Sequence, residues 1–334
     1  MTHGAIAGIK TRTFILLLLI GLSLSIVLLH EVGWLQNFLD ANAVRVLFQS
    51  IVWEGIPFIL LGAFISSVVE WSVKPDYLVS LLSDTWLGRT TAGLLGLAVP
   101  VCDCGAVPVA RTLRRKGVGE SIAFTFVLST PTLNLLALIS TYIAFHQSIA
   151  WVFLRAGSAL IVALVAGFLV HLHEDSLTEV WVTPVSVEHD HDVRGFRLLR
   201  MITDHTTSEV FAIGPFFVAS ALLAAIAQGI WPIHAVTAFT QHSLWSIPLL
   251  MALGASLSLC SEADAFVAAS LTSLFSPGAV LAFMLMGQTA DIRNLLLLPR
   301  VFGKRTVVIG LAGTIVLIFL LAVAVNRILP GGFV

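Results

Sequence analysis

Long apolar runs alternate with short polar stretches along most of the chain. The runs reach the roughly 20 residues that an α-helix needs to cross the hydrocarbon core of a bilayer. A membrane β-strand needs only about 10 residues, so the run length predicts helices and not barrel strands. The predicted segments are 13–34, 48–72, 90–112, 118–144, 148–171, 207–231, 246–274, 277–298 and 306–327.

Two of these segments are interrupted by residues that favour irregular backbone. Segment 90–112 contains Gly96, Pro100, Gly105 and Pro108. Segment 246–274 contains Gly254. Non-helical backbone at membrane depth is tolerated only where protein or a water-filled cavity surrounds it. We expect both segments to be broken or re-entrant, although full crossing stays open as an alternative.

Clusters of Lys and Arg indicate the orientation. Short basic loops favour the cytoplasmic side, and four such clusters occur. All four clusters fall on the cytoplasmic side only if segments 90–112 and 246–274 are re-entrant, that is, if each enters the membrane and leaves it on the same side. The clusters are Lys10 and Arg12; Arg111, Arg114, Arg115 and Lys116; Arg194, Arg197 and Arg200; and Arg300, Lys304 and Arg305.

A weak internal repeat appears at an offset of 158 residues. It pairs Pro57 with Pro215, Gly96 with Gly254, and Cys102 with Cys260. Chance similarity between apolar helices is the alternative explanation. With re-entrant segments, the two halves run in opposite directions through the membrane, which is a known plan for transporters.

These patterns predict an all-α integral membrane protein: a polytopic helix bundle with two inverted-topology repeats, each containing a broken or re-entrant hairpin. The predicted parts are an extra helix and loop at 1–47, a first repeat at 48–171, a cytoplasmic linker rich in His and acidic residues at 172–206, and a second repeat at 207–334.

Composition supports a membrane protein and argues against a soluble domain. Hydrophobic residues make up 57% of the chain and charged residues 11%, with a mean hydropathy of +0.97. A soluble domain carries about 25% charged residues. The net charge of −1 gives no indication of a nucleic-acid partner. We predict the cytoplasmic (inner) membrane as location and the lipid bilayer as partner, and we leave homo-oligomerisation open.

All three cysteines lie on the two interrupted segments. Cys102 and Cys104 are two residues apart, and the repeat matches Cys260 to Cys102. Symmetry would bring the segments together, and three thiols suit a soft species such as As(III), Sb(III) or Cu(I). Cysteine is also a small, easily buried residue, so a packing role is the alternative.

Acidic residues flank the thiols. Asp103, Glu262 and Asp264 are candidates for carrying protons or balancing a cationic solute, because intramembrane carboxylates are costly and usually functional. Asp291 is a further candidate, with a structural ion pair to Arg293 as the alternative. Glu54 and Glu209 are each predicted to lie at a helix start, where they would act as caps.

Polar residues at further breaks complete the predicted site. Pro131 interrupts segment 118–144, and Asn134 follows it; Thr289 occupies the corresponding part of the second half. They fit either a cavity lining or hydrogen bonds between helices. The run EHDHD at 188–192 could bind a metal, but a solvated linker is favoured.

At these residues the chain resembles the ArsP-like predicted permease family of bacteria. The resemblance rests on CDCGAVPVARTLRRKGVGESIAFTFVLSTPTLN at 102–134, on WEGIPFILLGAFISS at 53–67, and on LCSEADAF and GQTADIRNLLLL in the second half. It covers most of the chain from about 48 to 325. It implies efflux of trivalent arsenicals with cysteine thiols taking part, a role that carries over to Cys102 and Cys104, and to Cys260 only through the repeat.

The sequence therefore predicts a permease, not an enzyme, that exports a soft metalloid by secondary transport without a cofactor. No phosphate-binding loop of the G-x-x-x-x-G-K-[ST] type is present, so energy is expected from proton exchange or a partner subunit. The alternatives are a permease for another small solute with structural cysteines, and a membrane thiol oxidoreductase working through the C-x-C pair.

Overall fold

The computed structural model describes residues 41–73, 75–83, 85–99, 101–173, 196–230 and 245–329. The predicted first segment at 13–34 lies outside this part of the chain, as does most of the linker at 172–206. Every regular element in the described residues is a helix. The helices are α1 Ala41–Ser72, α2 Pro75–Leu81, α3 Trp86–Ala98, α4 Asp103–Arg115, α5 Glu120–Leu133, α6 Leu135–Ala144, α7 Ile149–His171, α8 Phe196–Ile230, α9 Ser246–Leu257, α10 Ser261–Leu271, α11 Pro277–Thr289, α12 Ile292–Leu297 and α13 Lys304–Ile328.

Six stretches of the described chain are long and apolar enough to cross a membrane, so the chain is a multi-pass membrane protein. Seven predicted segments carry no re-entrant expectation, and these six stretches coincide with the six of them that lie in the described residues. The stretches are Val44–Trp71, Glu120–Ala144, Ile149–His171, Met201–Ile226, Pro277–Arg300 and Lys304–Ile328. Large apolar side chains point outward from them, as expected for surfaces that contact lipid; examples are Trp53, Phe153 and Val308.

The two interrupted segments are each divided into a pair of short helices. In the first pair, α3 ends at Ala98, and the backbone is extended at Val99 and again at Cys102 before α4 begins. In the second pair, Ser258 adopts a left-handed conformation (φ 46°, ψ 45°) that ends α9, and Cys260 is extended before α10. The second break therefore forms without a proline.

Close helix packing recurs at matching glycines of the two halves. α3 packs against α5 at Gly96, where a Cβ atom would lie 2.8 Å from the Cα of Thr130. α9 packs against α11 at Gly254, where a Cβ atom would meet the carbonyl oxygen of Phe283. Only glycine permits this approach, so both short helices rest directly on the backbone of a buried span.

The first helix of each half pairs with the other. α1 and α8 lie along one another, and α1 also packs against α4, where Gly62 meets the backbone of Gly105. This crossing follows directly after Cys104. It brings the thiol-bearing break of the first half against the α1–α8 pair.

Candidate functional site

A cavity of about 190 Å³ lies where the two breaks meet α1, α8 and α12. Its lining includes all three thiols, those of Cys102, Cys104 and Cys260. The other polar side chains in the lining belong to Ser50, Glu54, Gln228, Ser258 and Arg293. Residues from both halves of the chain therefore contribute to one space.

The thiols stand at the starts of two short helices. Cys102 immediately precedes α4 and Cys260 immediately precedes α10. The Sγ of Cys260 accepts a hydrogen bond from the backbone N–H of Ala263 at 3.4 Å. Cys102 and Cys104 both line the cavity, and all three cysteines are free and buried. The fold thus places them on the cavity as thiols and not as disulfides.

The carbonyl preceding each of these helix-start cysteines is bound by a polar side chain from the next broken span. Arg293 donates to the Leu259 oxygen at 2.7 Å, and Gln288 donates to the same oxygen at 3.3 Å. In the first half, Asn134 donates to the Val101 oxygen at 3.5 Å. These bonds satisfy backbone groups that leave the helical pattern at the breaks.

Among the described residues, Arg293 is the only cationic side chain in the cavity lining, and it contacts residues at three helix breaks. Its Nε lies 2.9 Å from an oxygen of Asp291, and its Nη2 lies 3.7 Å from Asp103. Both oxygens of Asp103 are buried without a hydrogen-bond partner among the described residues. Asp103, which lies between Cys102 and Cys104 in the sequence, therefore interacts with Arg293 only through this long contact.

The other predicted carboxylates are placed differently. Asp264 is buried in α10 and forms an ion pair with Arg155 at 2.9 Å, while Gln288 donates to it at 2.8 Å. Glu262 is partly buried, and its Oε1 has no hydrogen-bond partner in the described chain. Neither belongs to the cavity lining.

The predicted residues at the further breaks lie in the packed interior beside the cavity. Pro131 is inside α5, which continues to Leu133; the break falls at Asn134, whose Oδ1 accepts from the Leu136 N–H at 3.0 Å. Thr289 donates to the Leu285 carbonyl of its own helix at 2.8 Å. Asp291 precedes α12 and accepts from the Asn294 N–H at 2.8 Å.

Sequence reasoning missed Glu54 and Arg155. Glu54 was expected to cap a helix start, but α1 begins at Ala41, so this residue lies well inside the helix and lines the cavity together with Cys260. Glu209 is likewise inside α8, so the capping interpretation was wrong for both. Arg155 lies in an otherwise apolar segment, and no local pattern signalled its partner 109 residues away.

The basic residues at the C-terminal end of α4 form ion pairs and hydrogen bonds with α8 and α1. Glu209 forms ion pairs with Arg111 at 3.4 Å and with Arg115 at 2.9 Å. Lys116 donates to the carbonyls of Glu70 and Val73, at 2.6 and 2.7 Å, where α1 ends. Burial lowers the pKa of Lys116 from its ordinary value, and the nearby Glu70 carboxylate opposes this shift.

No group of three or more His, Cys, Asp or Glu side chains within the described ranges has the spacing of a metal-ion site. The three thiols share a cavity, but they do not form a closed trigonal set. The run EHDHD at 188–192 lies outside the described residues.

Comparison with known proteins gives a consistent result. The family ArsP_1, described as a predicted permease, matches residues 40–327. The chain is 33% identical over 286 residues to UPF0718 protein YcgR of Bacillus subtilis, covering 85% of this chain and 96% of the relative.

Two further relatives are a protein of similar identity with a different name and a protein that matches over a shorter stretch. A Streptococcus mutans protein, named as a predicted subunit of a two-component membrane permease complex, is 32% identical over 300 residues, covering 87% of this chain and 99% of the relative. UPF0718 protein YraQ of Escherichia coli is 28% identical over 132 residues, covering 39% and 34% of the two chains. No solved structure matches.

Proposed function

The chain belongs to the ArsP_1 family of predicted permeases, and from this premise we propose that it exports a soft, thiophilic metalloid, a trivalent arsenical, across the cytoplasmic membrane. One observation carries the proposal: the thiols of Cys102, Cys104 and Cys260, drawn from both halves of the chain, line a single cavity. Soft thiophilic species prefer sulfur ligands over oxygen.

The cavity suits a small solute. Its volume of about 190 Å³ is several times the roughly 30 Å³ that one water occupies in the liquid. Methylarsenite, with one methyl and two hydroxyl groups on arsenic, is of this size class. Each thiol that binds forms an S–As bond and breaks an As–O bond, and its proton leaves with the hydroxyl as water.

The two halves supply a route for alternating access. We assign 48–171 and 207–334 to two inverted repeats, flanked by 1–47 and joined by a cytoplasmic linker at 172–206. The recurrence of a divided helix pair followed by a buried, broken span supports this assignment. Rocking of one half against the other would open the shared cavity to each side in turn.

Export needs an energy source. Asp103 lies between Cys102 and Cys104 in the sequence, and its one ion pair among the described residues is the long contact to Arg293; it is our candidate for charge compensation during the cycle. Glu262 is a second candidate, whereas Asp264 is already neutralised by Arg155. A partner subunit is an alternative source, as the name of the Streptococcus mutans relative suggests for that protein.

Uptake of methylarsenite and As(III) into everted membrane vesicles tests the proposal, with and without a proton gradient. Vesicles with the intact chain should accumulate arsenic, and Cys102→Ser, Cys104→Ser and Cys260→Ser should each lower the initial rate by about tenfold or more. Ser270→Ala, at an exposed position of α10, is the matched control. Normal uptake in all three cysteine variants would reject a thiol route and favour a permease with structural cysteines.

The C-x-C spacing of Cys102 and Cys104, which both line the cavity, gives a second candidate, a membrane thiol oxidoreductase. It predicts turnover between dithiol and disulfide with electrons passed to a quinone or partner protein. Vesicles that move the solute while both thiols stay reduced would exclude this function.

A further inference from the structure

Arg155 is the largest fully buried side chain in the described part of the molecule, with 0% exposure in α7. Its guanidinium reaches three other helices. It donates to the Thr141 hydroxyl of α6 at 2.8 Å and contacts the Met284 sulfur of α11 at 3.9 Å. Its remaining contacts are all to the first turn of α10.

Those contacts fall directly after Cys260. Arg155 donates to the Ser261 carbonyl at 3.1 Å, and its Nη2 lies 2.9 Å from Oδ1 of Asp264. On the other side of the same cysteine, Arg293 donates to the Leu259 carbonyl at 2.7 Å. Two arginines from different helices therefore hold the backbone on either side of one thiol.

An arginine at the start of a helix is energetically unfavourable. The N-terminus of a helix carries partial positive charge, so an arginine there is disfavoured unless a carboxylate such as Asp264 offsets it. An ion pair inside a membrane protein is also costly to desolvate, and intramembrane charges usually mark function. Charge-assisted hydrogen bonds are about twice as strong as neutral ones, so the arrangement fixes the backbone firmly.

We propose that Arg155 is a positioning residue for Cys260: from a span of the first half, it holds the second-half thiol on the cavity. Arg293 holds the preceding residue from α12. The importance of this placement rests on the proposed thiol route, but the placement itself concerns only the orientation of Cys260.

The first half provides an internal comparison. In the described residues, the carbonyl before Cys102 is bound only by the neutral amide of Asn134, and no arginine donates to the backbone beside Cys104. Loss of Arg155 should therefore affect Cys260 and leave Cys104 in place.

The test measures alkylation by N-ethylmaleimide in membranes, using chains with a single thiol. One chain carries Cys102→Ser and Cys104→Ser, and the other carries Cys102→Ser and Cys260→Ser. Arg155→Met should slow alkylation of Cys260 by about tenfold, because the thiol turns away from the cavity through which the reagent arrives. It should change the rate at Cys104 by less than about twofold. Arg155→Lys should lie between Arg155→Met and the unmodified chain at Cys260, since lysine keeps the charge but not the paired donors.

A second variant separates loss of positioning from misfolding caused by an unpaired Asp264. Arg155→Met with Asp264→Leu removes both charges, and replacement of a buried pair by apolar residues is often tolerated. The double variant should slow alkylation of Cys260 by the same factor as Arg155→Met alone. An unchanged rate at Cys260, or an equal fall at Cys104 and Cys260, would overturn the proposal, because Arg155 would then be irrelevant or merely structural.

These outcomes are distinct from those of the transport test. Slower alkylation of Cys260, together with normal arsenic uptake in the cysteine variants, would reject the thiol route and leave the positioning role intact. If Arg155→Met leaves the alkylation rate of Cys260 unchanged and the cysteine variants lose arsenic uptake, the positioning role is rejected and the thiol route stands.

Discussion

Cys102 and Cys260 hold equivalent places in the two halves of the chain: each is the extended residue immediately before a short helix, and both side chains line the same cavity. They come from two separate helix pairs, each broken at the cysteine. The equivalence explains how residues 158 positions apart can serve one space.

The crossing of α1 and α4 at Gly62 should tolerate no larger side chain. Gly62→Val would drive its Cβ into the backbone of Gly105, and overpacking of this kind costs about 1–3 kcal/mol. Thermal unfolding of the detergent-solubilised protein, followed by circular dichroism, should show a lower midpoint. Gly157→Ala has open space around its Cβ and should leave the midpoint unchanged or raise it. Equal midpoints for Gly62→Val and the unmodified chain would show that the crossing is looser than described.

Glu209 should stabilise the end of α4 through its two arginines. Glu209→Gln removes the negative charge that Arg111 and Arg115 share, so we expect the free energy of unfolding to fall. The fall should be only about 1–2 kcal/mol, because Arg111 is partly hydrated and water already weakens its ion pair. Chemical denaturation in detergent measures it. Asp204→Asn, exposed on the same helix, should have no effect. A similar loss in both variants would point to a general charge effect instead of the ion pairs.

Asn134 should have two separable roles. Asn134→Ala removes both the cap of α6 and the donor to Val101, and the lost cap alone costs about 1 kcal/mol. Asn134→Asp keeps a capping oxygen but loses the donor. We expect Asn134→Asp to retain more thermal stability than Asn134→Ala, while both slow arsenic uptake. Full uptake in Asn134→Asp would show that the bond to Val101 does not matter for the cavity.

The sequence was sufficient to locate the helices and the breaks. Apolar runs of spanning length predicted the six long stretches, because a segment that crosses lipid must be apolar over about 20 residues. Gly and Pro around Cys102 predicted the first break. The repeat then indicated the second one at Cys260, where no proline is present and Ser258 ends the helix through a left-handed backbone.

Side-chain partnerships could not be inferred in the same way. The start of α1 was placed at residue 48, and Glu54 was therefore taken for a cap; seven more helical residues at the N-terminal end make it a cavity residue. Arg155 and Asp264 belong to different halves, and only the packing of α10 against α6 and α11, both neighbours of α7, brings them together. Local patterns contain no information about such distant pairs.

The central claim is that thiols from both halves face one cavity, and cross-linking tests it most directly. A chain with Cys102→Ser keeps only Cys104 and Cys260 and is treated in membranes with dibromobimane, which fluoresces strongly once both of its arms have reacted. We predict a fluorescent, intramolecular cross-link that disappears on further replacement of Cys260 by Ser. Reaction of both thiols with single arms only, without fluorescence, would contradict the account.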